Sequence, residues 1–115
     1  MLAIDPMPPL PEHWGWYTPT PELAADFERQ LAVEIGPGHP LVGRAVKIVG
    51  YRRGTDDILC RHESEPSRFT VVHLSWMSTE PAPFSERVPH HPTVEADGSF
   101  DDFLAYEAKY HNPPA

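Results

Sequence analysis

Residues 68–77, "RFTVVHLSWM", constrain the fold more than any other stretch of the chain. The run is rich in β-branched and aromatic residues, which predicts a β-strand. Successive strand side chains point to opposite faces, so Phe69 and Val71 share one face with His73. Val72 and Leu74 share the other, so both faces are apolar. A strand with one wet face alternates apolar and polar residues, so this strand must be covered on both sides.

Proline limits where the rest of the core can form. The chain has 15 prolines in 115 residues, against a usual ~5 %. They cluster before residue 22, between residues 81 and 92, and at the C-terminus. This length suits one domain. We predict a proline- and aromatic-rich arm over residues 1–19, a single domain over 20–110 and a tail over 111–115.

A first helix is indicated by "TPTPELAADFERQLAVEIGPG". Thr20 suits the N-cap, and Pro21 suits the first helical position, where a missing N–H costs nothing. An apolar stripe recurs every four residues and comprises Leu23, Phe27, Leu31 and Ile35. We expect Gly36 to be the left-handed residue that ends the helix. His39 then lies in a turn, with a structural or solvent-facing role.

Two further strands, over residues 43–53 and 57–63, precede the strand over 68–77. Short turns rich in Gly, Asp and Ser separate the three, which predicts adjacent antiparallel hairpins. A second helix begins after Gly98, with Ser99 as N-cap and Asp102 in a capping-box position. The predicted fold class is α+β: an amphipathic helix, a three- to four-stranded antiparallel sheet and a short C-terminal helix.

The helical layer accounts for one cover of the sheet. The other is either the proline-rich ends of the chain or a second protein chain, which would make a homodimer. The arm "PPLPEHWGWY" brings three large aromatic rings, Trp14, Trp16 and Tyr17, so we expect it to pack on the domain. The alternative is that "PPLP" is a polyproline-type ligand for another protein.

Charge and cysteine content exclude several classes of function. The net charge of −8 argues against nucleic-acid and anionic-membrane surfaces, which both need excess positive charge. A single cysteine, Cys60, fits a reducing cytoplasm. Arg29 is the first basic residue and the N-terminal apolar run is short, which is atypical of a signal peptide or a membrane helix. We therefore expect a cytoplasmic protein.

No catalytic or cofactor motif is present, so the sequence predicts no catalytic residues and no cofactor. Seven histidines are nevertheless many for this length. Cys60 and His62 share a strand face, and His73 on the next strand could complete a metal-binding or catalytic group. Otherwise Cys60 is a core residue, His62 is solvated and His73 is buried. Burial would lower the pKa of His73 below ~6.5 unless an acid pairs with it.

Other polar pairs are weaker candidates for chemistry. Ser75 shares a strand face with His73, but a serine–histidine pair also needs an orienting acid and an oxyanion hole. Asp56 and Asp57 lie in a predicted turn, where we expect solvated carboxylates.

Charged residues are unevenly distributed. Residues 41–53 carry four basic side chains and no acid, whereas residues 95–107 carry five acids and no base. The two segments face each other, or each keeps its own face solvated, or one of them meets a partner of opposite charge. We predict that a basic protein partner docks on the loop over 78–98 and the start of the second helix. The predicted binding residues are Phe84, His90, Asp97, Asp101, Asp102 and Glu107.

The motifs "GPGHPLVGR", "DDILC" and "VVHLSW", followed by the helix start "SFDDFL", resemble a small bacterial family of unassigned function. The resemblance covers residues 20–77 and 99–105. That family usually carries a tryptophan–proline element after the third strand, where this chain reads "PAPFSERVPHHP". The family implies no catalytic residues. In size, acidity and mixed helix–sheet composition the chain is also similar to immunity proteins of bacterial toxin systems.

These observations favour a small acidic binding protein that acts through a protein–protein interface, with an immunity-type inhibitor of a toxin as one form of it. The alternative is a small enzyme or metal-binding protein that uses Cys60, His62 and His73.

Overall fold

The structure is a computed structural model and describes residues 7–75, 83–87 and 92–111. Two α-helices flank a five-stranded antiparallel sheet, which confirms the α+β class. The helices are α1 (Pro21–Glu34) and α2 (Phe100–His111). The strands are β1 (Trp16–Tyr17), β2 (Val46–Arg52), β3 (Asp57–His62), β4 (Phe69–His73) and β5 (Thr93–Gly98). In the part of the chain described, no helix is long and apolar enough to cross a membrane.

The start of α1 is as predicted, but its end is not. The Thr20 hydroxyl accepts a hydrogen bond from the Leu23 N–H at 3.2 Å, and Pro21 is the first helical residue. The helix ends in an extended Ile35 rather than in a left-handed Gly36. Gly36 is needed for another reason, because a Cβ there would collide with Arg87. Arg87 donates hydrogen bonds to the carbonyls of Ala32 and Ile35 at the helix C-terminus, where a cation is favoured.

Each strand of the sheet pairs with its neighbour in sequence, so the spatial order is β1-β2-β3-β4-β5. The predicted hairpins are confirmed, although the first and third predicted strands are shorter at both ends and the second at its C-terminal end. The sheet has five strands rather than three or four. One addition is the two-residue β1, and the other is β5, which lies at the end of the predicted long loop. Cross-strand partners include Cys60 with Thr70 and Asp57 with His73.

Two register shifts interrupt the ladders. Between β2 and β3, Ile48 pairs with Cys60 and Gly50 with Leu59, so Val49 is the extra residue of a β-bulge. Between β4 and β5, Val71 pairs with Ala96 and Val72 with Val94, which leaves Glu95 as the extra residue. Bulges bend a strand and re-aim the side chains around them.

The two apolar faces of β4 receive two different covers. On one face, Ile58, Cys60, Val72 and Leu74 form a buried cluster with Leu31 of α1; we call this the α1 face. On the other, Leu59, Phe69 and Val71 pack with Trp16 and with Phe103 of α2; we call this the α2 face. The requirement for cover on both sides is therefore met within one chain, by a helix on each face.

The N-terminal arm joins the α2 face, as its aromatic content predicts. Trp16 is fully buried, and its ring meets Phe103 edge-on at 5.1 Å between centroids. The indole N–H donates to the Glu107 carboxylate at 2.6 Å. Tyr17 pairs with Tyr51 across the β1–β2 ladder, so the end of the arm is part of the sheet.

The capping box predicted for α2 is present. The Asp102 N–H donates to the Ser99 hydroxyl at 3.1 Å, and the Ser99 N–H donates back to the Asp102 carboxylate at 2.9 Å. These two bonds satisfy backbone donors that the first helical turn leaves unpaired. They hold the start of α2 beside the end of β5.

Candidate functional site

His39 is a structural residue, but it is buried rather than solvated, with 2 % of its surface exposed. Its Nδ1 accepts the Leu41 N–H at 3.0 Å, so Nε2 carries the proton and donates to the Pro92 carbonyl at 2.7 Å. The side chain therefore ties the turn after α1 to the residue that precedes β5.

The predicted group of Cys60, His62 and His73 does not exist. Cys60 and His62 do share the α1 face, as alternation predicts. His73 lies opposite Asp57, at the other end of the β3–β4 hairpin, and both belong to the α2 face. The prediction was wrong because it rested on neighbouring strands without their register.

Cys60 is a core residue. It is fully buried in the α1-face cluster, and burial, reinforced by the charge of Glu28, raises the pKa of its thiol to about 12. The thiolate, which is the nucleophilic and metal-binding form, is therefore disfavoured at neutral pH.

His62 is buried as well, in a chain of polar side chains rather than in solvent. The Thr70 hydroxyl donates to Asp97 at 2.9 Å and lies 2.7 Å from Nε2 of His62, from which it accepts. Asp97 also receives two hydrogen bonds from the guanidinium of Arg68. Burial, followed by the charge of Arg68, lowers the pKa of His62, which favours the neutral ring.

His73 is paired with an acid. Its pKa is therefore not expected to fall, since the predicted fall applied only to a buried ring without an acidic partner. Its Nδ1 lies 2.8 Å from Oδ1 of Asp57, and the hydrogen bond to Asp57 raises the pKa of His73. The His73 side chain is 45 % exposed, whereas that of Asp57 is 7 % exposed. Asp57 is thus a buried carboxylate that orients a half-exposed imidazole, and not the solvated turn residue that we expected.

Glu95 of β5 and Tyr106 of α2 complete this site on the side of His73 away from β3. Oε1 of Glu95 lies 4.0 Å from Nδ1 of His73, and the Tyr106 hydroxyl donates to Oε2 of Glu95 at 2.8 Å. Burial, together with the hydrogen bond to Glu95, raises the pKa of Tyr106, so its hydroxyl remains a donor. Glu95 follows Thr93, the ladder partner of His73, by two residues, so strand alternation places its side chain on the α2 face.

One ligand atom from each of Asp57, His73 and Glu95 lies within 4.8 Å of the other two. Two acceptor oxygens and one ring nitrogen therefore converge at the exposed end of the α2 face. Such a group can hold either a proton on the imidazole or a cation between the three atoms. We call these three residues the Asp57–His73–Glu95 site.

The residues of the predicted acidic docking surface do not form one exposed surface, because three of its acids are used in contacts within the chain. Asp97 is paired with Arg68, and Asp102 caps its own helix. Glu107 was expected on this surface but is buried, with 1 % exposure, because it accepts the indole N–H of Trp16. Asp101 remains exposed. Phe84 lies in a short 3-10 helix, Phe84–Glu86, and His90 falls outside the described residues.

A groove of about 460 Å³ opens beside the start of α2; we call it the α2 groove. Its apolar lining includes Phe69, Phe100 and Leu104, and Pro8 of the arm lies on its wall. Arg61 and Asp101 are the charged residues along it. The groove therefore lies next to the part of the predicted surface that is still available.

Sequence reasoning counted Glu95 only as part of the acidic segment, did not consider Tyr106, and treated Asp57 as a turn residue. Asp57 carries a readable signal, because it is the first residue of an apolar strand and therefore next to the core. No comparable signal exists for Glu95, whose position beside His73 depends on the pairing of β5 with β4. Comparison with known protein families, curated proteins and solved structures found no match. The resemblance to a bacterial family therefore stays a prediction.

Proposed function

We propose that this chain is a cytoplasmic binding protein that holds a segment of a partner protein in the α2 groove. The observation that carries the proposal is the groove itself, a concavity with exposed parts of aromatic and aliphatic side chains in its lining. Apolar concavities open to solvent mark sites where a ligand or protein binds.

The charges along the groove indicate what kind of segment fits. The Nε–H of Arg61 donates to the Pro66 carbonyl at 2.7 Å, and its guanidinium lies over the Phe69 ring. Among the described residues of the groove, Asp101 is the charge without an internal hydrogen bond or ion pair. With a net charge of −8 on the chain, a segment with an apolar anchor and a flanking Lys or Arg complements this surface.

The proposed interface is smaller than the acidic surface predicted from the sequence, because it is limited to the α2 groove. Asp97, Asp102 and Glu107 are occupied within the fold, so we expect the apolar anchor to supply most of the affinity. The charge of Asp101 should act mainly on the association rate, and its effect should weaken as salt shortens the Debye length. An immunity-type inhibitor of a toxin would use such a surface, with a basic partner.

The first test locates the contact by photo-crosslinking in the native host. A photoreactive amino acid replaces Ser67, which lines the groove, and in a matched control variant it replaces Glu22, which is exposed on α1. We expect one partner to crosslink from position 67 and not from position 22. Equal crosslinking from both positions would place the interface elsewhere.

The second test measures affinity for the partner so identified. Leu104→Lys introduces a charge into the groove, and Ala105→Lys introduces the same charge at the next, exposed helix position. Leu104→Lys should weaken binding strongly and Ala105→Lys should not. Because Leu104 also packs on the core, Asp101→Asn serves as a milder variant that should slow association at low salt. Unchanged binding in both groove variants would refute the proposal.

A further inference from the structure

We infer that the Asp57–His73–Glu95 site binds a divalent transition-metal ion, with Zn²⁺ as the ion to test. The inference is independent of the α2 groove and of any protein partner. One imidazole with two carboxylates is a ligand set that Zn²⁺ accepts, and three protein ligands leave a fourth position for water or another ligand.

The distances suit this ion. Zinc–ligand bonds of ~2.0–2.1 Å in tetrahedral geometry place neighbouring ligand atoms about 3.3 Å apart. Nδ1 of His73 is 2.8 Å from Asp57 and 4.0 Å from Glu95, so the observed separations lie on both sides of that value. Small side-chain rotations would bring the three atoms to a common distance from one ion.

Hydroxyl groups hold the outer oxygens of both carboxylates. The Thr55 hydroxyl donates to Oδ2 of Asp57 at 3.0 Å, and the Tyr106 hydroxyl donates to Oε2 of Glu95 at 2.8 Å. The inner oxygens, Oδ1 and Oε1, are the ones that face His73. Protein metal sites use such outer hydrogen bonds to orient their ligands, and losing one typically weakens metal affinity about 10–100-fold.

The backbone also contributes to the arrangement. Thr93 pairs with His73 in the ladder, and the two-residue alternation of β5 returns Glu95 to the same face as His73. The register shift lies directly after this point, because Val71 pairs with Ala96 rather than with Glu95. Bulges are frequent beside ligand sites.

Charge and access are compatible with a dication. Two carboxylates face the imidazole, and Nη1 of Arg52 lies 3.7 Å from the outer oxygen of Asp57, opposite the side that faces His73. The 45 % exposure of His73 provides a path for the ion from solvent. On binding, the imidazolium releases its Nδ1 proton to solvent, the electron pair of that N–H bond forms the bond to zinc, and Nε2 keeps its proton. A ring that starts neutral instead carries its single proton on Nε2 when Nδ1 binds the ion.

The experiment uses the full chain without a histidine tag, stripped with a chelator and titrated with Zn²⁺ by calorimetry. We expect one ion per chain. His73→Gln and Glu95→Gln should each weaken binding about 10-fold or more, and Tyr106→Phe by about 10-fold through its effect on Glu95. In NMR spectra the ring signals of His73 should shift on zinc addition, while those of His62 should not.

Two matched controls distinguish this site from other thiols and imidazoles. Cys60→Ala removes the thiol of the predicted group, and His13→Gln removes an exposed histidine of the arm; both should bind Zn²⁺ as the wild type does. Thermal melts verify that each variant is folded, and Tyr106→Phe keeps the test decisive if Glu95→Gln is unstable. Absence of a stoichiometric ion, or an ion retained at full affinity in His73→Gln, would overturn the inference.

Discussion

His62 and His73 lie at opposite ends of one hairpin and on opposite faces of the sheet. His62 is 2 % exposed and its pKa is lowered, mainly by burial. The His73 side chain is 45 % exposed and its pKa is raised, mainly by the hydrogen bond to Asp57. The α1 face thus encloses a neutral ring, whereas the α2 face presents a ring poised to carry charge. Depth of burial and the charge of the nearest partner decide which chemistry a histidine has.

The cores beneath the two histidines also differ. The α1 face is closed by aliphatic and aromatic side chains of a capped helix. The α2 face depends on the arm and on a buried polar contact between Trp16 and Glu107. Because a single residue, Trp16, both fills the core and binds Glu107 there, the α2 face is the one to perturb first.

Trp16→Ala should produce the largest change. It removes a fully buried ring from Phe103 and deprives the Glu107 carboxylate of its indole donor. We expect the free energy of unfolding to fall by about 3–5 kcal/mol, as for other buried aromatic truncations. Chemical denaturation measures this, with Trp14→Ala as the control because Trp14 is only partly buried. Equal losses in the two variants would mean that the arm has no specific anchor.

Thr70→Val tests the polar network of the α1 face. Valine keeps the shape of threonine, but the Nε2–H of His62 loses its acceptor in a buried position. Leaving a buried donor without a partner costs about 1–3 kcal/mol. Thr93→Val, at an exposed position of the neighbouring strand, should change the unfolding free energy far less. A neutral Thr70→Val would show that water replaces the hydroxyl.

The two histidines should give opposite pH dependences. His62 has a lowered folded-state pKa, so its contribution to stability is present above the unfolded value of ~6.5 and is lost as pH falls toward the folded value. His73 has a raised folded-state pKa, so its contribution is present below ~6.5 and is lost as pH rises through the folded value.

Denaturation of the zinc-free protein between pH 5 and pH 8 separates these contributions. Relative to wild type, a His62→Gln variant should lose the part of the profile that rises with pH, and His73→Gln the part that falls. If the stabilities of His62→Gln and His73→Gln depend on pH in the same way, the two histidines do not differ in the sense proposed.

The smallest effect expected is on the titration of His73 alone. Asp57→Asn removes the carboxylate that stabilises the imidazolium, so the pKa of His73 should fall toward ~6.5 in the zinc-free protein. Asp56→Asn is the matched control, because Asp56 is exposed and contributes least of the causes that raise this pKa. NMR titration of the ring protons gives both values. An unchanged pKa in Asp57→Asn would mean that the hydrogen bond does not form in solution.

Local signals were sufficient for where both helices start and for the number of layers. Thr20 and Ser99 cap helices through bonds that span three residues, so the relevant atoms are all within one short stretch. The alternation in β4 likewise predicts two covers without any knowledge of what supplies them. The end of α1 was less predictable, because Gly36 is required by its close contact with Arg87, which is far along the chain.

The candidate sites required information that no local pattern contains. The metal group predicted from Cys60, His62 and His73 used residues with suitable chemistry, and strand register then placed His73 beside Asp57 instead. The predicted acidic surface failed at Glu107, since the residue that buries it, Trp16, lies 91 positions away in the sequence.

By itself, the sequence determined the two helices and the three central strands, that one of these strands needs cover on both faces, and that the chain carries a strong negative charge. These properties depend on side chains a few residues apart and on composition. Only the tertiary structure decided which acid meets which histidine. That choice depends on strand register, which pairs His73 with Asp57 on one side and with Thr93 on the other, and a shift of one residue moves a strand's side chains to the other face.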